Sequence, residues 1–167
     1  MAGLSIEDAT GIPSQPLYES GLAVERIQAA RRAIEASGIP VVLTARCEAW
    51  LVGAPGAEHI ARERLLAYAE AGADCLYAPG IKALDEIAAL VKLVHPKPLN
   101  ALVSSPGLTV SALSDVGVRR ISVGSALARV AWGAFIRASR AIALDGTFDA
   151  FGSATPNAEL NQMFKER

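Results

Sequence analysis

Two carboxylates, an arginine and an amide side chain stand where the short apolar runs of this chain come to a stop. Glu7 and Asp8 close the first run, Arg46 closes the second with Glu48 two residues on, and Asn100 sits in the run Leu99-Asn100-Ala101-Leu102-Val103. Carboxylates hold Mg2+ through their own oxygens or through bound water. Arginine clamps a carboxylate or phosphonate with two parallel hydrogen bonds. Brought to one face, this set suits a divalent metal and an anionic, oxygen-rich substrate. Pro79-Gly80, Ser122 and Gly124 stand at the remaining run ends, the last two read as close-packing positions. Cys47 follows Arg46 directly, but nothing in the sequence supplies it with a base; it reads as a small buried hydrophobe, and Cys75 as core. His59 and His95 are expected in surface or capping roles, Trp50 and Trp132 in packing.

The elements that must position these residues alternate between two periods. Apolar runs at Gly3–Ile6, Pro40–Ala45, Ala73–Ala78, Leu99–Val103 and Arg119–Gly124 read as strands. Each is followed by a stretch with helical spacing: 22–37, 59–71, 84–94, 109–116 and 126–145. Gly38, Gly72 and Gly117 stop helices, and Pro40 and His95-Pro96-Lys97-Pro98 forbid continuation. Residues 9–21 read as a loop, and the tail from Gly146 carries a short helix over 158–165. The run at 40–45 is nearly all apolar and is expected to be covered on both faces. Five strand-then-helix units in one direction make a parallel α/β sheet with right-handed crossovers. That leaves a doubly wound sheet or part of a (β/α) barrel, whose full form has eight units. The helix-glycine-strand phrases AEAGADCLY and SDVGVRRISVG favour the barrel.

Composition narrows the partners. The 167 residues are 51% hydrophobic and 20% charged with a net charge of −1, which excludes a disordered chain. No basic block collects phosphates, so nucleic acid is not an expected partner. No apolar stretch reaches membrane-spanning length, the N-terminus lacks signal-peptide character, and two cysteines make no disulfide framework. A cytoplasmic location is expected. Neither GxGxxG after the first strand nor GxxxxGK[ST] is present.

GLSIEDATG, PVVLTARCEAWLVG, RERLLAYAEAGADCLYAPG, KPLNALV and GVRRISVGSALARVAWGA, in that order, resemble the isocitrate lyase / phosphoenolpyruvate phosphomutase superfamily. The nearest likeness is to its carboxyvinyl-carboxyphosphonate phosphorylmutase-like or 2-methylisocitrate lyase-like branch. The resemblance implies a (β/α)8 TIM barrel of the phosphoenolpyruvate mutase type, here strands 4 to 8 with their helices. Residues 1–150 would be the C-terminal part of that barrel, as five βα units, and 151–167 a tail with a short helix. It implies an Mg2+-dependent lyase or phosphonomutase that makes or breaks a C–C or P–C bond in a small 2-oxo acid or phosphonate, through a pyruvate-enolate-like intermediate. Metal and arginine beside the developing enolate would stabilise its charge.

Carried over residue by residue, Glu7 resembles the acid that holds metal-bound water. Arg46 resembles the catalytic and substrate-binding arginine, and Asn100 a substrate-contacting amide. Glu48 is assigned to the supporting catalytic network. The family's final long helix packs against or exchanges with a neighbouring subunit, so a homo-oligomer is expected. Three features depart from the pattern. The aspartate set of the first three strands is absent, a KKCGH-like loop is absent, and Tyr77-Ala78-Pro79-Gly80 stands where lyases place a glutamate and phosphomutases a histidine or serine. These departures support an alternative: a truncated, catalytically incomplete barrel that acts only as an oligomerising or pseudoenzyme fragment, with open strand edges and an uncovered apolar interior. A doubly wound binding module is a third reading.

Overall fold

The computed structural model describes residues 3–165. They divide between Gly124 and Ser125 into two compact units.

The first unit runs β1 (Gly3–Glu7), β2 (Ala9–Ile12), β3 (Gln15–Leu17), α1 (Ser20–Ser37), β4 (Val42–Arg46), α2 (Ala57–Glu70), β5 (Cys75–Tyr77), α3 (Leu84–Val94), β6 (Leu99–Leu102), α4 (Val110–Asp115) and β7 (Arg120–Ser122). Local chemistry sets the element ends. Gly38 takes the left-handed conformation (φ 66°) that closes α1, with its amide bonded to the Glu35 carbonyl. Asp85 and Glu86 open α3 and Lys92 lies in its last turn, each complementing the helix dipole. Thr109 caps α4 by accepting from the Ala112 amide at 3.1 Å.

The five-stranded sheet has the order β1-β4-β5-β6-β7, and every pairing in it is parallel. The order follows the chain without reversal. A doubly wound sheet reverses order at a switch point, so that reading is excluded. Consecutive right-handed crossovers place the helices on one face of such a sheet. α1 packs on β1 and β4, α2 on β4 and β5, and α3 on β6. Side chains alternate between the faces, so the helix side receives Leu43, Ala45, Leu76, Leu99 and Ala101, all buried, with Leu4 and Ile6 against them. Leu65 and Leu90 come down from α2 and α3 into the same core. Full burial of each such leucine contributes about 1.5–3 kcal/mol.

The other face carries a different chemistry. Register aligns Glu7, Arg46, Tyr77, Asn100 and Arg120 in one row across the sheet, with Ser5, Thr44 and Cys75 on the same face nearer the strand starts. This corrects two expectations. β4 is covered on both faces only at its middle: Thr44 is buried beneath Arg120, whereas Val42 is 47% exposed and the Arg46 side chain is partly open. Nor is the inner face apolar. The Arg120 guanidinium lies across it and donates to Thr44 Oγ1 at 2.8 Å. The segment expected as a loop holds the β2–β3 hairpin, fastened by Thr10 Oγ1, which accepts from the Ile12 amide and donates to the Gln15 carbonyl.

Asp74 ties this unit together at the start of β5. Its Oδ2 accepts from Arg31 at 2.5 Å and from the Leu43 amide at 2.7 Å. Partial burial opposes the charge, but the Leu43 amide and Arg31 prevail and hold its carboxyl below the usual range. A carboxyl depressed in the folded state stabilises above its unfolded pKa, and that contribution disappears as pH falls through the folded value. Asp74→Asn is therefore expected to lower the melting temperature at neutral pH and to converge on the parent as pH falls below the depressed folded pKa of Asp74. Paired thermal melts across that range check this.

The second unit holds α5 (Ala126–Arg140), a π-helical turn (Ala141–Asp145), a 3-10 turn (Asp149–Ser153) and α6 (Asn157–Lys165). None of its helices buries a residue. Trp132, expected in packing, is 60% exposed and meets Phe135 edge-on, with Leu127 at 72% on the same helix. No helix among the described residues is long and apolar enough to cross a membrane.

Candidate active site

The row of polar side chains lies at the carboxyl ends of β1, β4 and β5 and at Asn100, the second residue of β6. Glu7, Arg46 and Asn100, singled out in the sequence, share it. Arg46 is its centre. Its Nε donates to Glu48 and lies 3.6 Å from Glu7 Oε2, and its guanidinium sits 5.1 Å above the Tyr77 ring. The two terminal nitrogens of the fork make no hydrogen bond among the described residues, and the side chain is 28% exposed. A planar, charged donor pair with nothing to bind is the geometry that takes a carboxylate or phosphonate.

Burial works against the Arg46 charge, yet the hydrogen bond and charge of Glu48 hold its pKa above the ordinary value. Burial pushes the Glu48 carboxyl up, more than Arg46 pulls it down, and Glu7 and Asp8 add repulsion.

Asn100 is buried one strand beyond Tyr77. Its Nδ2 donates to Ser122 Oγ at 2.9 Å, and Ser122 in turn reaches the Tyr77 hydroxyl at 3.4 Å. Asn100 Oδ1 is buried without a hydrogen-bond partner. A buried acceptor left unpaired costs about 1–3 kcal/mol, which a donor on a bound molecule would recover. Ser122, read as a packing position, is instead the link of this chain.

The site also has a foundation in Asp8, named in the sequence as a candidate carboxylate but without its structural role. Asp8, 2% exposed, accepts from the Glu48 amide at 2.7 Å, from Arg64 at 2.8 Å and from the Tyr68 hydroxyl at 2.7 Å. Its own amide donates to the Arg46 carbonyl at 3.2 Å, and its carbonyl accepts from Tyr18 at 2.9 Å. One residue therefore holds β1, the loop after β4, the hairpin's end and α2. Burial, then the Asp8 carboxylate, push the Tyr68 phenol above its ordinary pKa, so it stays a donor. Arg64 and Tyr68 stand four residues apart and so share one helix face, the signal that could have exposed the cluster. Burial, with Asp8 nearby, pushes the Cys47 thiol up to about 12, which removes it as a nucleophile at neutral pH. His59 is exposed beside Glu63 at 3.3 Å, and His95 caps the end of α3.

Among the described residues no three His, Cys, Asp or Glu side chains gather as a metal-binding group. Asp8 is spent on three donors and Glu48 on Arg46. Glu7, with its side chain 52% exposed, fits the part of one carboxylate reaching a metal-bound water.

Gly80 shapes the wall beside this row. Its φ of +104° is a conformation side chains rarely adopt, and a Cβ there would lie 2.8 Å from Trp50 Cβ. Gly80→Ala is expected to cost about 1–3 kcal/mol, read as a fall in the urea midpoint with a shifted Trp emission.

Comparison with known proteins agrees with this fold. The sequence profile of the family described as phosphoenolpyruvate phosphomutase matches residues 1–143. A crystal structure of a candidate lyase/mutase from Burkholderia cenocepacia J2315 superposes with a TM-score of 0.91 at 46% identity, covering 98% of this chain and 59% of that one. Phosphonopyruvate hydrolase in complex with oxalate and Mg2+ superposes with a TM-score of 0.77 at 27% identity, covering 98% and 59%. An uncharacterised protein of Mycobacterium tuberculosis H37Rv is 32% identical over 159 residues, 95% of this chain and 57% of its own length. The chain thus spans less than two thirds of the proteins it matches. Its fold is α/β, a partial barrel of the phosphoenolpyruvate mutase type. On the profile match and these relatives, the chain belongs to the phosphoenolpyruvate phosphomutase family.

Proposed function

We propose that the row on β1, β4, β5 and β6 is the acid-binding half of an enzyme that breaks or forms a C–C or P–C bond in a small 2-oxo acid or phosphonate. The observation that carries the reading is the free fork of Arg46, flanked by the unpaired Asn100 Oδ1. Arg46 takes the substrate's carboxylate or phosphonate, and the unpaired Asn100 Oδ1 accepts from a proton-bearing group beside it, such as a phosphonate OH or a water. When the bond from the carbon next to the carbonyl to its phosphorus or carbon substituent breaks, its electron pair passes through that carbon to the carbonyl oxygen and an enolate forms. A phosphoryl substituent passes to water; a hydroxyl-bearing carbon substituent gives up its hydroxyl proton to water and leaves as a carbonyl compound. The Arg46 charge, fixed in place by Glu48, stabilises that oxygen without reorganising. Glu48 is accordingly a positioning residue. Mg2+, when bound, supplies further positive charge at such an oxygen, and Glu7 would hold one of its waters.

The free thiols of Cys47 and Cys75 support a reducing, cytoplasmic setting. The exposed apolar face of α5, with Leu127, Trp132 and Phe135, supports a homo-oligomer.

The test is to incubate the purified chain and Mg2+ with phosphonopyruvate, oxaloacetate and methylisocitrate and to follow products by 31P and 1H NMR. Turnover of at least one, lost in Arg46→Ala, is expected. Turnover indifferent to Arg46 removes the reading. One observation favours a second reading, an incomplete site that binds the acid without reacting: the described residues supply only one free carboxylate toward a metal. Binding that depends on Arg46, with no product from any substrate, selects it.

A further inference from the structure

A cavity of about 600 Å3 opens among the loops that follow β4, β5 and β6. Trp50 and Leu51 after β4 and Leu102 and Leu108 at and beyond the end of β6 form its apolar wall, and Lys82 and Ser104 add polar groups to its lining. Leu102 stands two residues after Asn100 on the same strand, so it rises from the same face one layer nearer the strand ends. It pairs in register with Ser122, the hydroxyl that binds Asn100. Trp50 follows Arg46 by four residues, and its Cβ packs on Gly80, three residues after Tyr77. Each strand that contributes to the polar row between β4 and β6 therefore also contributes the wall of this cavity.

A volume of this size lies within the range of about 300–1,000 Å3 that holds drug-sized ligands. A three-carbon acid gripped by Arg46 leaves most of it empty. Exposed apolar wall in a concave site is stabilised by an apolar guest.

We infer that this cavity is a side-chain subsite, and that the acid this protein binds is a 2-oxo acid carrying an apolar branch of several carbons. The inference rests on the reading of Arg46 as the acid-binding group. Trp50 and Leu102 are its specificity-determining residues, since Trp50 packs on Gly80, three residues after Tyr77, and Leu102 shares a strand and a face with Asn100.

The experiment uses the whole chain with Trp132→Phe, which leaves Trp50 as its one tryptophan. Trp50 emission is followed during titration with pyruvate, 2-oxobutanoate, 2-oxopentanoate and 2-oxohexanoate. The expected Kd falls about fourfold with each added methylene. Ser104→Phe, at the cavity's exposed loop, is expected to flatten that gradient and leave pyruvate unchanged. Arg46→Ala is expected to weaken every acid by the same factor. Equal Kd across the series, with the Arg46 dependence intact, overturns the subsite and leaves the proposed function standing. A gradient that persists unweakened in Arg46→Ala overturns the Arg46 reading and makes the cavity a separate apolar site. No binding by any acid overturns both.

Discussion

Asp8→Ala is expected to be the most destabilising single substitution in the first unit, at about 3–5 kcal/mol. Removing this carboxylate leaves the Glu48 amide, the Tyr68 hydroxyl and Arg64 Nη1 without an acceptor, and the Arg64 charge without its counter-ion, with only the Tyr18 carbonyl still accepting from Nη2. Arg64 matters most, because its side chain is 11% exposed and water cannot fully replace the lost partner. Tyr68→Phe removes only one neutral donor and is expected to cost about 0.5–1.5 kcal/mol. Arg64→Met in the Asp8→Ala background removes the orphaned charge and should recover part of the loss, since much of the penalty belongs to the unpaired cation. Urea unfolding of the four proteins measures these differences. If Asp8→Ala costs no more than Tyr68→Phe, the carboxylate is not the keystone of the loop after β4.

Why the structural role of Asp8 is not legible in the sequence, although its place beside Glu7 is, is a matter of range. Glu7, Arg46 and Asn100 announce themselves locally, because each stands at or near the end of an apolar run, and parallel strands bring their ends together. The work of Asp8 is done with partners 40, 56 and 60 residues away. No local pattern encodes those distances. Tyr77 and Ser122 are hidden in the same way, joined only by the sheet's register.

The fold was more legible than the site for a related reason. The strands from β4 to β6 bury an apolar helix-facing set, and glycines such as Gly38 and Gly72 end the helices before them. Those signals are strong and local. The β2–β3 hairpin was not visible, because its strands are short, largely exposed and held by the Thr10 side chain rather than by an apolar alternation. The inner face was misjudged as apolar because one β-strand shows two faces through alternate residues. In Val42-Leu43-Thr44-Ala45-Arg46 only Thr44 and Arg46 declare the polar side, and Val42 masks it. The same alternation now explains how one strand can hold the core through Leu43 and Ala45 and present Arg46 to a ligand.

Arg46→Ala is expected to lower kcat/KM by about 10²–10³-fold, the effect of removing one preorganised group that meets developing negative charge. Where turnover is absent, the equivalent readout is the weakened Kd of the bound acid. The substitution has a second consequence, which separates function from stability. It strips the cation from Glu48, a side chain 6% exposed whose carboxyl burial already raises. A carboxyl raised in the folded state binds its proton more tightly than the unfolded chain does. Stability is therefore greatest below its unfolded pKa and falls as pH rises through the folded value. Arg46→Ala should steepen that fall, because Arg46 is the group that pulls the Glu48 pKa down. Adding Glu48→Gln removes the titrating group and should flatten the stability profile while leaving acid binding as weak as in Arg46→Ala. Arg46→Lys keeps the charge but loses the two-pronged geometry, so it should restore the pH profile more completely than it restores binding. Thermal melts across pH, set beside acid titrations of the same variants, test each part. Binding that returns in the double variant would assign Arg46 to holding Glu48 rather than to holding the substrate.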